Sequence, residues 1–265
     1  MEPALVVAAL ALVFVGAHVG LATQPVRGRL VDRLGEGGFF AVYSLTATLT
    51  FWSLIAYYAR HRLEGAPGLA LGAVPFVRAV LLALVAAGCA LAAAGLAAYP
   101  RSPVALLGQT VREPRGVARI TRHPFFAGTA LVGAAHALLA PHLSGAVLMG
   151  ALVVLAVAGA RHQDAKHLER QGRAYADHLA VTSFVPFAAI LAGRQRLAWR
   201  ELPLGAGAIG LGAALLLRSV HAYLFAADGR WLVLAVAGGG AIASLQSWRR
   251  MRRRDAQATF AAVRQ

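Results

Sequence analysis

Two histidines stand inside apolar runs where a polar side chain is costly: His18 in VFVGAHVGLA and His136 in LVGAAHALLA. In a lipid environment such a residue is a functional feature by default. One imidazole nitrogen can ligate a metal or a haem iron. The neighbours are small: Gly16, Ala17 and Gly20 around the first, Gly133, Ala134, Ala135 and Ala137 around the second. Small residues let a flat group approach the helix backbone. They equally serve close helix–helix packing, with histidine hydrogen-bonding across the interface. At this level both alternatives stand.

A third histidine, His123, opens RITRHPFFAGTALVGAAHALL between Arg122 and Pro124. Proline suits the first turn of a helix. A helix N-terminus beside Arg119 and Arg122 makes an anion site, which gives His123 either a catalytic setting or the role of a basic interfacial anchor. Thirteen residues of helix carry His136 about 20 Å beyond His123 and turn it about 140° away. The two imidazoles are therefore expected to meet different neighbours. Taking helix one to end at Gln24, His18 lies about 9 Å inside it, and His18 and His136 differ in depth by roughly 10 Å.

The elements that position these side chains are membrane helices. The chain has 265 residues, is 58% hydrophobic and only 14% charged, and its mean hydropathy is +0.62. A soluble domain carries about 25% charge. Apolar runs recur at 3–23, 38–59, 79–99, 124–140, 144–160, 205–221 and 231–247. Runs near 20 residues are candidate spans, and helices satisfy their own backbone in lipid. The expected fold is all-α, a polytopic transmembrane bundle of six to seven helices.

Charge placement orients it. All but five of the 26 Lys and Arg residues fall in alternate loops and the C-terminal tail; the exceptions are Arg60, Arg62, Arg78, Arg218 and Arg230. Basic residues favour the cytoplasmic side, so the N-terminus is expected outside and the C-terminus inside. The net charge of +15 is spread over loops beside apolar helices. Contact with anionic lipid headgroups accounts for it, and nucleic-acid binding is not expected. Residues 1–22 carry Glu2 ahead of the apolar run and Arg27 after it, the reverse of a signal peptide, so they are expected to remain as the first helix. The single cysteine, Cys89, cannot form an internal disulfide and reads as a small packing residue.

Two cytoplasmic stretches are long, 100–124 and 161–203. The second is expected to continue the fifth helix to about Leu179 and then to run through TSFVPFAAIL, either at the interface or dipping into the membrane. Residues 1–203 form the expected core, with 204–265 adding two further helices and a basic tail.

The segments GAHVGLATQPVRGRLVDRLGEGGFFAVYSL, YYARHRLEG, RITRHPFFAGTALVGAAHALL, HQDAKHLERQG and TSFVPFAAILAGR, in that order, resemble the NnrU family of membrane proteins, over about residues 10–200. That family is related to the plastid 15-cis-zeta-carotene isomerases. The resemblance implies a b-type haem held in the membrane between two axial histidines, matched here by His18 and His136. It implies His61 as a third, alternative ligand. It also implies either a haem-dependent cis–trans isomerase of carotenoid type or a role in nitrite and nitric oxide metabolism, in a bacterial inner membrane. The expected partners are membrane lipid and a hydrophobic or small-molecule substrate, with any redox partner left open. The last two helices and His221 fall outside the resemblance.

A rival comes from another class. Arg122, His123, Pro124 and Gly128, followed by Glu169, Gly172 and Tyr175, also resemble membrane methyltransferases of the isoprenylcysteine carboxyl type, which hold S-adenosylmethionine. Asp164 or Glu169 would meet its amino group. This chain lacks the paired Glu-Glu usual there, and the rival leaves His18 and His136 unexplained. A non-catalytic membrane assembly factor is the third possibility.

Overall fold

The computed structural model describes residues 1–98 and 113–242. The run 231–247 therefore continues beyond the described residues, which also exclude Arg101, Arg112 and the C-terminal arginines. The described chain is helical, with one isolated antiparallel bridge between Pro67 and His142.

Among the described residues, four helices are long and apolar enough to cross a membrane. They are α1 (Pro3–Ala22), α2 (Gln24–His61), α3 (Pro75–Ala98) and the helix that becomes α6 below. Proline in the first turn starts α1 and α2, where its missing N–H costs nothing. α2 is longer than the apolar run 38–59 because an amphipathic basic segment precedes it. The joint is Gly35, whose φ of 70° is left-handed and suits glycine. Arg27 clasps Glu36 across this kink at 2.7 and 2.8 Å and lies over the Phe39 ring at 5.2 Å.

After α3 come α4 (Val117–Ile120), α5 (Pro124–Leu139), α6 (Leu143–Gln171), α7 (Arg173–Val181), α8 (Ala188–Leu191) and α9 (Leu204–Ser219). A final helix, α10, is described over 230–242. α6 stops at Gly172, φ 52°, and α7 resumes at once. The sequence expectation of one helix reaching Leu179 is thus met by two segments joined at a left-handed glycine.

Neighbouring helices run α9, α3, α5, α6, α1, α2 across the bundle. Small residues allow the close approaches, since packing rather than hydrophobicity drives helix association in lipid. A Cβ on Gly128 of α5 would strike the Gly88 carbonyl and lie 2.7 Å from the Ala92 nitrogen of α3. A Cβ on Gly210 of α9 would lie 2.6 Å from the Cys89 carbonyl, so Cys89 does sit at a packing seam. On the other side, Val7, Ala11, Leu54, Ile55, Leu148 and Val233 form a buried cluster joining α1, α2, α6 and α10.

The last helices therefore straddle the bundle. α9 packs on α3, while Val233 of α10 enters the α1–α2–α6 cluster. The connection between them, residues 220–229, crosses the end where α2 and α5 finish and α6 begins. Arg60 at the end of α2 holds Asp228 through two hydrogen bonds of 3.0 and 2.8 Å.

Candidate functional site

Two ends of the bundle carry the polar chemistry. At one end α5 starts, and the preceding turn is pinned. Thr121 is fully buried and donates its hydroxyl to the Phe184 carbonyl at 2.7 Å. The Arg122 amide bonds the Ser183 carbonyl at 2.9 Å, and the Phe187 amide bonds the Ile120 carbonyl at 2.9 Å. The TSFVPFAAIL segment is thus folded against α4 and the turn that follows it.

This pinning sets His123 at the N-cap of α5, only 4% exposed. Its Nε2–H donates to Asp164 Oδ1 at 2.6 Å. Arg122 reaches the same carboxylate, with its Nε 3.0 Å and one amino nitrogen 2.8 Å from Oδ2. The Tyr175 hydroxyl donates to Oδ1 at 2.6 Å. Tyr175 itself is stacked between His167 and His178, with ring centroids at 5.0 and 5.6 Å. Asp164 lies in the polar continuation of α6, past its apolar stretch. All three of its donors favour the charged carboxylate.

Nearby, Arg119 holds Glu201 at 3.0 Å, and the Gly116 amide adds a bond of 2.8 Å. The Arg119 hydrogen bond, with that of the Gly116 amide, keeps the Glu201 carboxyl below the usual carboxylate range.

Arg122, His123 and Tyr175 were assigned to the methyltransferase-like reading, and they do converge, on Asp164. They satisfy one another there. The carboxylate accepts from three protein side chains and is left with little capacity for a ligand's ammonium group. Gly128 serves the α3–α5 contact, Gly172 breaks the helix, and Glu169 is exposed beside Gln24 at 3.4 Å. The geometry is that of a structural lock.

His18 lies in α1 between Phe14 and Tyr43, with ring centroids at 5.5 and 5.1 Å. Its Nδ1 is buried without a hydrogen-bond partner among the described residues. His136 lies one turn from the end of α5. Its Nδ1–H donates to the Val132 carbonyl at 2.9 Å, and its ring lies parallel to that of His221, 6.3 Å away and 10° off. His61 stacks on Tyr57 at 4.4 Å and bonds Glu64 at 2.9 Å.

The fit of a haem between His18 and His136 can be tested against α6, which lies between α1 and α5. His162 of α6 donates to the Ala22 carbonyl at 2.9 Å, which places His18 one turn above that level. A Cβ on Gly133 would lie 3.0 Å from the Met149 carbonyl and from Val153, which places His136 near the start of α6. The two imidazoles are thus about 15 Å apart along the bundle at 1.5 Å per residue, slightly more than the sequence offset. Their ring neighbours are also different. The two do not fit the opposite faces of a single haem, and His61, at the far end from His18, does not bring the pair closer. By contrast, the expectation that His123 and His136 meet different neighbours agrees with this geometry.

The residues that sequence reasoning passed over are Tyr58, Arg62 and His142. Together with His221 they border one cavity at the α2–α6 end. The sequence signal was weak: His142, like His123, is a histidine at a helix start, but with proline before it instead of after it.

Comparison with known proteins gives a consistent picture. A family model described as NnrU protein matches residues 6–229. That match reaches past residue 200, where the sequence resemblance was drawn to end, and takes in α9 and His221. The 15-cis-zeta-carotene isomerase, chloroplastic, of Arabidopsis thaliana is 29% identical over 203 residues, which is 74% of this chain and 53% of that protein. The chain spans about half the length of that relative. No solved structure matches.

Proposed function

The chain belongs to the NnrU family, and from that premise we propose that it is a membrane-embedded isomerase acting on a long apolar polyene taken from the bilayer. The observation that carries this is the His18 imidazole. It sits in a membrane span, flanked by Phe14 and Tyr43, with a buried nitrogen that no group among the described residues satisfies. A polar group kept in hydrocarbon without a structural partner is retained for a ligand or a reaction. The similarity to a plastid isomerase of a carotene supplies the substrate class.

Haem b enters the proposal through His18 alone. Haem supplies an iron that takes an imidazole nitrogen as axial ligand. His18 would offer that nitrogen, and the rings of Phe14 and Tyr43 would fix its orientation. His136 and His221, paired at the opposite end, belong to a different task. His123 holds Asp164 and positions the start of α5 instead of facing a substrate. A function in nitrite or nitric oxide metabolism is the other use that the family resemblance implies.

One experiment tests the reading. The protein is purified in detergent after haem supply, and its visible spectrum is recorded. It is then reconstituted in lipid vesicles with 15-cis-zeta-carotene in the dark, and the isomers are separated by chromatography. The expected results are a Soret band lost in His18→Ala and retained in His136→Ala, with isomerisation following the same pattern. A band lost equally in both variants would restore the two-histidine haem. A colourless, inactive wild-type protein would remove the isomerase reading, and nitric oxide binding without isomerisation would favour the alternative.

A further inference from the structure

At the end of the bundle opposite Asp164, a cavity of about 200 Å³ opens between α2, α6 and the 220–229 connection. Its polar lining consists of potential donors: Tyr58, Arg62, His142 and His221. Among the described residues no carboxylate lines it. The acids at this end are engaged elsewhere, Glu2 by the Ala66 amide, Glu64 by His61 and Asp228 by Arg60.

The donors are also unspent. Arg62 uses one amino group on the Ala59 carbonyl at 2.7 Å, and its remaining N–H groups have no protein acceptor among the described residues. The guanidinium lies 5.8 Å from the centre of the Phe225 ring, which holds it at the mouth. His142 Nδ1 is buried without a partner. Tyr58 projects its hydroxyl towards the first turn of α6, where a Cβ on Gly145 would stand 3.1 Å from it. Tyr58, Arg62 and His142 are half-buried and His221 is exposed; a buried nitrogen such as His142 Nδ1, unpaired among the described residues, is normally satisfied by water or a ligand. The cavity also meets the N-terminus of α6, a 29-residue helix whose dipole favours negative charge.

We propose that this cavity binds a small monocarboxylate with a short apolar tail. The guanidinium fork matches the two oxygens of a carboxylate. His142 and Tyr58 supply further donors. Leu63 and Phe225 give the tail an apolar wall. The site is separate from His18 and does not depend on the isomerase reading.

Isothermal titration of the full chain in detergent tests it, with butyrate, formate and chloride as probes. Butyrate is expected to give saturable heat, formate a weaker response, and chloride none. Arg62→Gln removes a charge-assisted hydrogen bond and should weaken butyrate binding roughly ten- to hundredfold. His142→Asn should weaken it less. Ala222→Leu fills the exposed rim without touching the donors and should abolish binding while the protein stays monodisperse. That variant decides the matter if Arg62→Gln proves unstable. Absence of saturable heat with butyrate overturns the proposal. So does binding unchanged in both Arg62→Gln and Ala222→Leu, or chloride binding as tightly as butyrate.

Discussion

His123 and Asp164, 41 residues apart in the chain, meet at 2.6 Å where α5 begins and the polar end of α6 passes it. The same carboxylate draws in Arg122 from the preceding residue and Tyr175 from beyond the glycine break. One acid thus ties together three segments of chain at one end of the bundle: the start of α5, α6 and α7.

Replacing that acid should be costly. Asp164→Asn leaves Arg122 and His123, both largely buried, short of an anionic acceptor. The expected loss is about 2–3 kcal/mol, against about 1 kcal/mol for Tyr175→Phe. Thermal unfolding in detergent measures both. Equal small shifts in the two variants would show that the network is not coupled through the carboxylate.

Glycines at helix contacts should behave differently from glycines facing open space. Gly128→Ala places a methyl against the α3 backbone and should cost about 1–3 kcal/mol. Gly150→Ala, with nothing within 4 Å of the new carbon, should be neutral or slightly stabilising because alanine favours helix. The two melting temperatures, compared with wild type, check this.

His136→Phe keeps a ring beside His221 and removes only the bond to the Val132 carbonyl. The variant is expected to fold, to keep any Soret band, and to lose at most about 1 kcal/mol. A vanished Soret band with normal folding would reassign His136 as an iron ligand.

Acid should loosen the Arg119–Glu201 contact. The Glu201 carboxyl is held below its ordinary value of 4.5, first by the Arg119 hydrogen bond and then by the Gly116 amide. A lowered folded value contributes stability that is present above about 4.5 and is lost as pH falls through the folded value. Trp199 is two residues away and exposed, so its fluorescence should change over that acid range. The change should be absent in Glu201→Gln. An identical acid response in both proteins would contradict the assignment.

The spans were readable because hydropathy and length dictate them: α1, α3, α6 and the latter part of α2 lie where the apolar runs do. The start of α2 was not. Gly35, Gly37 and Gly38 look like breakers, yet a single left-handed joint at Gly35 lets the helix continue on both sides. The separate surroundings of His123 and His136 followed from helical periodicity alone. The pairing of His18 with His136 was drawn from resemblance, and periodicity carries no information on which helices become neighbours. α6 intervenes between theirs. His221 was left unassigned because it fell outside the resemblance, and its contact with His136 depends on how 220–229 crosses the bundle, which no local pattern encodes.

That crossing has a consequence for biogenesis. The clasp between Arg60 and Asp228 joins a helix made early to residues synthesised 168 positions later. Helices one to six can pair as they enter the bilayer, but the rim stays unlatched until the 220–229 connection has been made. A nascent protein stalled near residue 203 would present an open mouth there, and quality-control proteases would meet a vestibule that the finished protein keeps roofed.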